Sequence, residues 1–203
     1  MRVAGLMVAA AALLAGCAQV TESHTGRTAT EQLLIARAAD RAVEGLELPV
    51  PKSSRIFVDN SYFQAEGSAY AISAVRQALS EAGHPLANDR NSADVILEMR
   101  AGTLALEQMR RVFGLPPLRV PINESLNVVS LPELSVYSRR DRTGVAEFSA
   151  FVYDARTGAP LGVVQPMVGE YRIRSHTVLM IVAWGQQWAE PGETDPGDSW
   201  TAF

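Results

Sequence analysis

The sequence contains few of the residues that form covalent cross-links or metal sites. Cys17 is the single cysteine, so the chain cannot form an internal disulfide. Histidines are also few, and His24, His84 and His176 stand far apart along the chain. Because a metal site needs several donor side chains at suitable spacing, we expect neither a metal ion nor a cofactor.

Recognised catalytic motifs are missing as well. The chain has no Gly-x-Ser-x-Gly elbow, no phosphate-binding loop and no His-Glu-x-x-His. An enzyme usually presents a nucleophile with a base, a carboxylate pair or a set of metal ligands. We therefore predict a non-enzymatic protein. The alternative is an envelope hydrolase whose site is assembled from distant residues such as Asp59, Asp89 and His176.

Acidic residues outnumber basic residues in this chain. The 18 Lys and Arg residues against 22 Asp and Glu residues give a formal net charge of −4. Domains that bind nucleic acid usually carry a basic surface, so we expect no nucleic-acid partner. The length of the chain suits one domain with a substantial core.

The N-terminal segment is typical of an export signal. Arg2 precedes the apolar run Val3–Leu14, which is shorter than the about 20 residues that a spanning helix needs. The run ends in Leu14-Ala15-Gly16-Cys17, which resembles the lipobox of bacterial lipoproteins. The resemblance implies that residues 1–16 are a signal peptide and that Cys17 is lipidated. The alternative is an ordinary secreted protein in which Cys17 follows the signal by chance.

The residue after the cysteine bears on the destination. Ala18 stands where many lipoproteins of the inner membrane have aspartate. The resemblance to lipoproteins therefore implies the periplasmic face of the outer membrane, with the lipid as the link to the membrane. Residues 17–26 are polar and are predicted to be a short tether.

Two helices are predicted in the first part of the mature chain. Thr28 and Glu31 have the spacing of a capping box, and the apolar residues that follow recur at helical spacing as far as Leu46. A second helix is predicted from about Ser68 to Ala82. Short strands are predicted at residues 56–60 and 93–100.

The second part of the chain has the pattern of a β-meander. Strands are predicted at 133–138, 145–153 and 160–164, with turns at Asp141–Gly144 and Asp154–Gly158. The apolar run 178–184 predicts a last strand that is buried on both faces. We therefore expect a single α+β domain over residues 27–188, with two helices on one face of a largely antiparallel sheet of five or six strands. Residues 189–203 are predicted to be a disordered acidic tail.

Residues 110–122 are apolar but lie in a stretch rich in proline. Pro116, Pro117, Pro121 and Pro132 argue against a long regular element between residues 103 and 132. We favour a loop that folds across the sheet to complete the core. In the alternative interpretation this segment contacts another subunit, a partner or the membrane, because large exposed apolar patches usually mark interfaces. The contact residues would be Val112, Phe113, Leu115 and Leu118.

Three closely spaced arginines lie at or next to the predicted hairpin tip at 141–144: Arg139, Arg140 and Arg142. A solvated turn is the interpretation that we favour. The alternative is contact with anionic lipid headgroups or with an acidic partner.

Several motifs resemble an uncharacterised family of Gram-negative lipoproteins, a domain of unknown function. They lie at residues 27–34, 93–102, 144–146 and 153–158, and together they cover most of the mature chain in order. This family implies no particular activity. A looser likeness, at the level of the fold, is to periplasmic lipoproteins of the curli-secretion-channel and penicillin-binding-protein-activator kind, which implies partner binding or ring assembly.

The leading functional hypothesis is therefore a non-enzymatic lipoprotein of the outer membrane that binds or scaffolds another envelope component. A self-assembling subunit of an export or secretion complex is the second hypothesis. An envelope hydrolase is the third.

Overall fold

The structure is a computed structural model that describes residues 27–115, 118–121, 128–131 and 134–192. In chain order its elements are α1 (Ala29–Ala42), β1 (Ile56–Tyr62), α2 (Ser68–Glu81), a 3₁₀ turn (Arg90–Ser92), β2 (Val95–Leu115), β3 (Leu118–Pro121), β4 (Val128–Leu131), β5 (Leu134–Asp154), β6 (Pro160–Val178) and β7 (Val182–Gly185).

Most of the strands form one mixed sheet. Its five strands follow the order β1-β2-β5-β6-β7, and β3 pairs only with β4 in a separate two-stranded sheet. β1 is parallel to β2, whereas the other neighbours in the large sheet are antiparallel. The predicted α+β class, with a largely antiparallel sheet and a C-terminal meander, is confirmed.

Helix α1 begins at the capping box that the sequence predicts. The side chain of Thr28 accepts a hydrogen bond from the backbone N–H of Glu31 at 3.3 Å, and the carboxylate of Glu31 accepts one from the N–H of Thr28 at 3.0 Å. These bonds satisfy two backbone donors that the first turn of a helix leaves open. The face of α1 that carries Leu34, Ala38 and Ala42 is buried against the sheet.

The backbone of α1 touches the sheet directly at two glycines. A Cβ atom on Gly144 of β5 would lie 2.1 Å from the carbonyl oxygen of Leu34, and one on Gly169 of β6 would lie 2.1 Å from that of Ala38. Both distances are far shorter than van der Waals contact. The helix can therefore approach the sheet this closely only because these two positions carry no side chain.

Helix α2 packs on the same side of the sheet as α1. Its N-cap is Gly67, whose φ of 86° lies in the left-handed region, and the helix buries Ala71, Val75 and Leu79. The hydroxyl of Tyr70 donates a hydrogen bond of 2.9 Å to Asp40 of α1 and so links the two helices. The main core lies between the helices and the inner face of the sheet.

The sheet strands are much longer than the sequence predicts. Residues 103–115 continue β2, so the expected absence of a long regular element there is wrong in this part. The predicted turn at Asp141–Gly144 is also wrong, because β5 runs through it without a break. Asp141 forms ion pairs with Arg139 and Arg174, and Gly144 leaves room for the backbone of α1. Asp and Gly are also common turn residues, which is why the sequence predicts a turn here.

Of the two remaining predictions for this part of the chain, one is confirmed and one is wrong. The turn at Asp154–Gly158 is confirmed: Asp154 accepts hydrogen bonds from the backbone of Arg156 and Thr157, and Gly158 has a φ of 72°. The run 178–184 is not one buried strand. Leu179 and Met180 adopt positive φ values of 48° and 60° in a turn, and the short β7 that follows is exposed.

The end of the described chain packs against α1. Ala189 is buried in the main core, and Arg37 donates a hydrogen bond to the backbone carbonyl of Glu190. The sequence assigns both residues to the tail, so the packed part of the chain extends past residue 188. The remainder of the predicted tail, from residue 193, lies outside the described residues, as do the predicted signal peptide and tether at residues 1–26.

Replacing Gly169 by alanine tests the contact between α1 and the sheet. The new methyl group would collide with helix backbone rather than with a flexible side chain, so we expect the free energy of unfolding to fall by about 3 kcal/mol. Gly102→Ala is the matched control, because its Cβ would lie 3.2 Å from the nearest atom, and it should stay within about 1 kcal/mol of wild type. Urea unfolding of the full chain measures both, and equal losses would contradict this packing.

Candidate functional site: the distal sheet

The long strands carry the sheet well beyond helix α1. β5 has 21 residues, whereas α1 has 14. At the usual rise per residue the strand is about 70 Å long and the helix about 21 Å. We call the part of the sheet beyond the N-terminus of α1 the distal sheet, and define it as residues 108–115, 134–142 and 173–185.

The two faces of the distal sheet carry different residues. On β5, Ala146, Phe148 and Ala150 face the helices and are buried in the core. Side chains alternate along a strand, so Ser138, Arg140 and Arg142 lie on this same inner face, while Arg139 and Asp141 lie on the outer face. The three arginines that the sequence groups at a hairpin tip are therefore in mid-strand and are divided between the two faces.

On the inner face, a cleft of about 680 Å³ lies beside the first turn of α1. Its lining contains Arg110, Arg140 and Arg142, together with five hydroxyl side chains and Trp188. Arg110 of β2 stands directly opposite Arg140 of β5 in the strand register. Arg142 donates a hydrogen bond to the backbone carbonyl of Gln187. Burial and the neighbouring charge of Arg140 hold the pKa of the Arg142 guanidinium below its usual value.

On the outer face, Asp141 is held between two arginines. The carboxylate is 2.7 Å from Arg139 Nη2 and 2.7 Å from Arg174 Nε. Burial raises the pKa of the Asp141 carboxyl, but the hydrogen bonds from these two arginines outweigh burial and keep the pKa below its usual value. Both outer-face arginines next to Asp141 thus share one carboxylate within the sheet.

His176 lies next to this ion-pair network. Its Nδ1 is 2.7 Å from the hydroxyl of Tyr137, and its ring stacks on Trp184 with centroids 5.3 Å apart. Burial is the largest cause that lowers the pKa of His176, and the charges of Arg139 and Arg174 lower it further. The neutral imidazole is therefore the form that the folded protein favours.

The far end of the distal sheet is apolar and exposed. The exposed fraction is 72% for Phe113, 57% for Leu115 and 85% for Ile181. The other large apolar side chains exposed at this end are Met109, Leu134, Val136, Leu179, Met180, Val182 and Trp184. We call these ten residues the apolar end.

The favoured interpretation of residues 110–122, a loop that folds across the sheet to complete the core, is wrong for the described residues 110–115. Phe113 and Leu115 extend β2 into solvent and do not fold across the sheet to complete the core. Val112 is half-buried, and Leu118 lies in β3, although its side chain is outside the described part of the structure. Contact with a partner or another subunit remains a prediction for these four residues.

Asp59 and His176, two of the residues considered for a hydrolase, are not brought together. Asp59 lies on β1 and His176 on β6, three strand spacings apart, which is at least about 14 Å. Asp59 is buried, accepts hydrogen bonds from Ser61 and pairs with Arg90 at 3.2 Å. The hydrogen bond from the Ser61 side chain is the largest cause that lowers the pKa of Asp59. The contact with Ser61 is local, whereas the contact with Arg90 joins β1 to the 3₁₀ turn.

Sequence reasoning missed Arg110 as a member of the inner-face cleft. The residue is 30 positions away from Arg140, and only the register of β2 against β5 places the two side by side. Residues 106–112 read Leu-Glu-Gln-Met-Arg-Arg-Val, in which apolar and polar residues do not alternate, so the sequence carries no clear strand signal here. In the part of the chain that the structure describes, no group of three His, Cys, Asp or Glu residues is placed to hold a metal ion.

Comparison with known proteins identifies the family. Residues 11–180 match the model of a family of unknown function, DUF6655. The chain belongs to this family. The resemblance to a domain of unknown function is thereby confirmed. No curated protein matches the chain.

Among solved structures, this member of the family is similar to the NMR structure of E. coli LpoB. The two sequences are 11% identical, and the match covers 84% of this chain and 78% of that chain with a TM-score of 0.36. Similarity at this level gives no basis for transferring a function. No helix among the described residues is both long and apolar enough to cross a bilayer.

The lowered pKa of His176 predicts a pH dependence of stability. The unfolded chain, with a histidine pKa of about 6.5, takes up a proton at a higher pH than the folded chain does. The free energy of unfolding should therefore decrease as the pH falls from 7.5 to 5.5. In His176→Gln this decrease should be smaller, since the glutamine does not titrate. Urea unfolding at several pH values measures it, and identical slopes for the two proteins would show that His176 does not contribute.

Proposed function

We propose that this protein is a lipid-anchored, non-enzymatic component of the Gram-negative envelope that binds another envelope protein through the apolar end of its distal sheet. The exposure of Phe113, Leu115 and Ile181 at one end of the sheet is the observation that carries the proposal. Exposed apolar patches of this kind usually mark interaction sites.

The energetic argument favours a protein partner. Burying a large apolar side chain is worth about 1.5–3 kcal/mol, so a partner that covered a few residues of the apolar end would gain enough to offset part of the cost of association. Charged residues border the apolar end, with Arg110 and Arg111 on β2 and Arg139 and Arg140 opposite them on β5. An apolar centre with a polar margin is the usual composition of a protein interface.

The lipid anchor is supported by the Leu14-Ala15-Gly16-Cys17 motif and by Ala18 after it. Under this proposal the mature protein begins at Cys17 and is held at the periplasmic face of the outer membrane. Thr28 lines the inner-face cleft, so the tether joins the domain beside the distal sheet. The segment from Cys17 to Thr28 spans at most about 40 Å when fully extended, which keeps the distal sheet close to the membrane.

Self-assembly is the second candidate function. β7 is a short edge strand in which all residues are exposed, and Val182 and Trp184 on it belong to the apolar end. An exposed edge strand can pair with a strand of another chain. A second copy of this protein could therefore occupy the same surface as a different partner.

Substitution of Cys17 tests the anchor. In Cys17→Ala we expect no lipid attachment, retention of residues 1–16 and loss of association with the outer membrane, because the cysteine thiol is the proposed attachment point. Intact-protein mass spectrometry and membrane fractionation measure these effects. Ala18→Asp is the companion variant: it should keep the lipid and move to the inner membrane. Normal outer-membrane fractionation of Cys17→Ala would contradict the anchor.

Substitution of the apolar end tests the binding surface. In Phe113→Ser/Leu115→Ser we expect the lipidated protein, gently extracted from membranes, to lose the complex that wild type forms. Its free energy of unfolding should change by less than about 1 kcal/mol, because both side chains are exposed. The complex is measured by its mass in detergent, and a companion band or a multiple of the chain mass distinguishes a different partner from self-assembly.

Leu161→Ser/Val163→Ser is the matched control for this experiment. These two exposed apolar residues lie on β6 at the opposite end of the sheet, so their replacement should leave the complex intact. Loss of the complex in both double variants, or in neither, would argue against the apolar end as the binding surface.

A further inference from the structure

Another cavity lies on the helical side of the molecule, between α1 and the start of α2. It has a volume of about 600 Å³, and most of its lining is apolar, including Leu33 and Ala36 of α1 and Leu104 of β2. We call it the α1–α2 pocket. Protein pockets that bind a ligand are usually of this size, with mostly apolar walls and a few polar groups that orient the occupant.

Polar groups of the α1–α2 pocket lie at its rim. The exposed side chain of Glu66 pairs with Arg27 at 2.9 Å, and the hydroxyl of Tyr70 donates a hydrogen bond to Asp40. A carboxylate oxygen or a tyrosine hydroxyl oxygen can also accept a hydrogen bond from an indole N–H. The apolar wall and the polar rim together suit a large aromatic side chain that carries one donor, as tryptophan does.

The described part of the chain ends beside this pocket. Ala189 is buried in the main core, and the backbone carbonyl of Glu190 accepts a hydrogen bond from Arg37 of α1. Pro191 is itself part of the lining of the pocket. These contacts hold the chain along α1, so the residues that follow Gly192 continue from the edge of the pocket.

The segment that follows contains a tryptophan at a suitable distance. Residues 193–203 lie outside the described residues, and their sequence is polar and acidic as far as Trp200. The pair Pro196-Gly197 favours a turn, and a turn centred there would place Trp200 across from Glu193. The eight residues from Gly192 to Trp200 span at most about 28 Å, so Trp200 is also within reach if the turn is wider.

We propose that the α1–α2 pocket binds the indole side chain of Trp200, so that the C-terminal segment forms an intramolecular strap over the first half of α1. The strap covers apolar surface that otherwise faces water. It replaces the prediction of disorder for the segment as far as Trp200, and it does not require the apolar end to bind a protein. Because Arg27 also lines the pocket, the strap joins the two ends of the domain next to the tether.

The fluorescence of Trp200 tests the proposal in the full-length lipidated protein, kept in an uncharged detergent. The chain has three tryptophans, and the reporter protein Trp184→Phe/Trp188→Phe retains only Trp200. Both replaced side chains are exposed, so we expect the reporter to fold as wild type does. Acrylamide should quench Trp200 at least threefold less in the folded reporter than in the same protein unfolded in urea.

Two substitutions in the reporter assign the protection to the pocket. Ala36→Arg places a long charged side chain in the pocket, and we expect it to raise the quenching of Trp200 at least twofold. Ser73→Arg is the matched control, because it adds the same charge at an exposed position of α2 that does not line the pocket. It should leave the quenching unchanged. Arginine favours helices, and urea unfolding checks that both variants remain folded.

Proteolysis gives a readout that needs no reporter protein. Glutamyl endopeptidase cleaves after Glu193, and a docked strap should protect that bond. We expect Trp200→Ala to accelerate this cleavage at least fivefold, because the strap loses its anchor in the pocket. Thr201→Ala is the control at the next position and should be cleaved at the wild-type rate. Mass spectrometry of the released peptide identifies the bond.

Three results would overturn the proposal. The first is quenching of Trp200 that is as strong in the folded reporter as in urea. The second is an equal change of quenching in Ala36→Arg and Ser73→Arg, which would separate the protection from the pocket. The third is protection that is lost when the protein is diluted, since this would place the C-terminal segment of a second copy in the pocket.

Discussion

The backbone contact between helix α1 and the sheet at Gly144 and Gly169 determines which parts of the sheet are covered. Because the helix rests on two neighbouring strands without intervening side chains, its position along them is fixed closely. Its first turn then lies beside Arg142 and the inner-face cleft, and its last turns cover the core residues of β5 and β6. Among the described residues, no helix covers the sheet beyond that first turn.

This arrangement explains why the distal sheet differs in composition from the rest of the molecule. Where helices cover the sheet, the inner positions of β5 are Ala146, Phe148 and Ala150; past the helix the same alternation gives Arg142, Arg140 and Ser138. On the outer face, Asp141 forms ion pairs with Arg139 and Arg174. At the far end apolar side chains replace charges on both strands of the β2–β5 pair. A polar cleft and an apolar end thus lie on one extension of the sheet, next to the point where the tether enters.

Patterns among neighbouring residues were sufficient to predict the helices and the fold class. The lengths and register of the strands depend on pairing between distant residues. The capping box at Thr28 and the helical spacing after it depend on neighbouring residues, so the sequence was sufficient for α1. Asp141 and Gly144 are residue types common in turns, but here they lie in a strand. Asp141 pairs with Arg174 on β6, and Gly144 packs against the backbone of Leu34 in α1. For the candidate site, the apolar residues at 112–115 and two of the cleft arginines could be identified from the sequence. Their division between faces, and the addition of Arg110, required the register.

The central claim is that the uncovered end of the sheet is where this protein meets its partner. Site-specific photo-crosslinking in living cells tests it directly, with a crosslinking amino acid placed at Leu115 or, as a reference, at Val163 on the opposite end of the sheet; both side chains are exposed. The account predicts a discrete crosslinked species from position 115 and none from position 163. Crosslinks of equal yield from the two positions, or none from position 115, would contradict it.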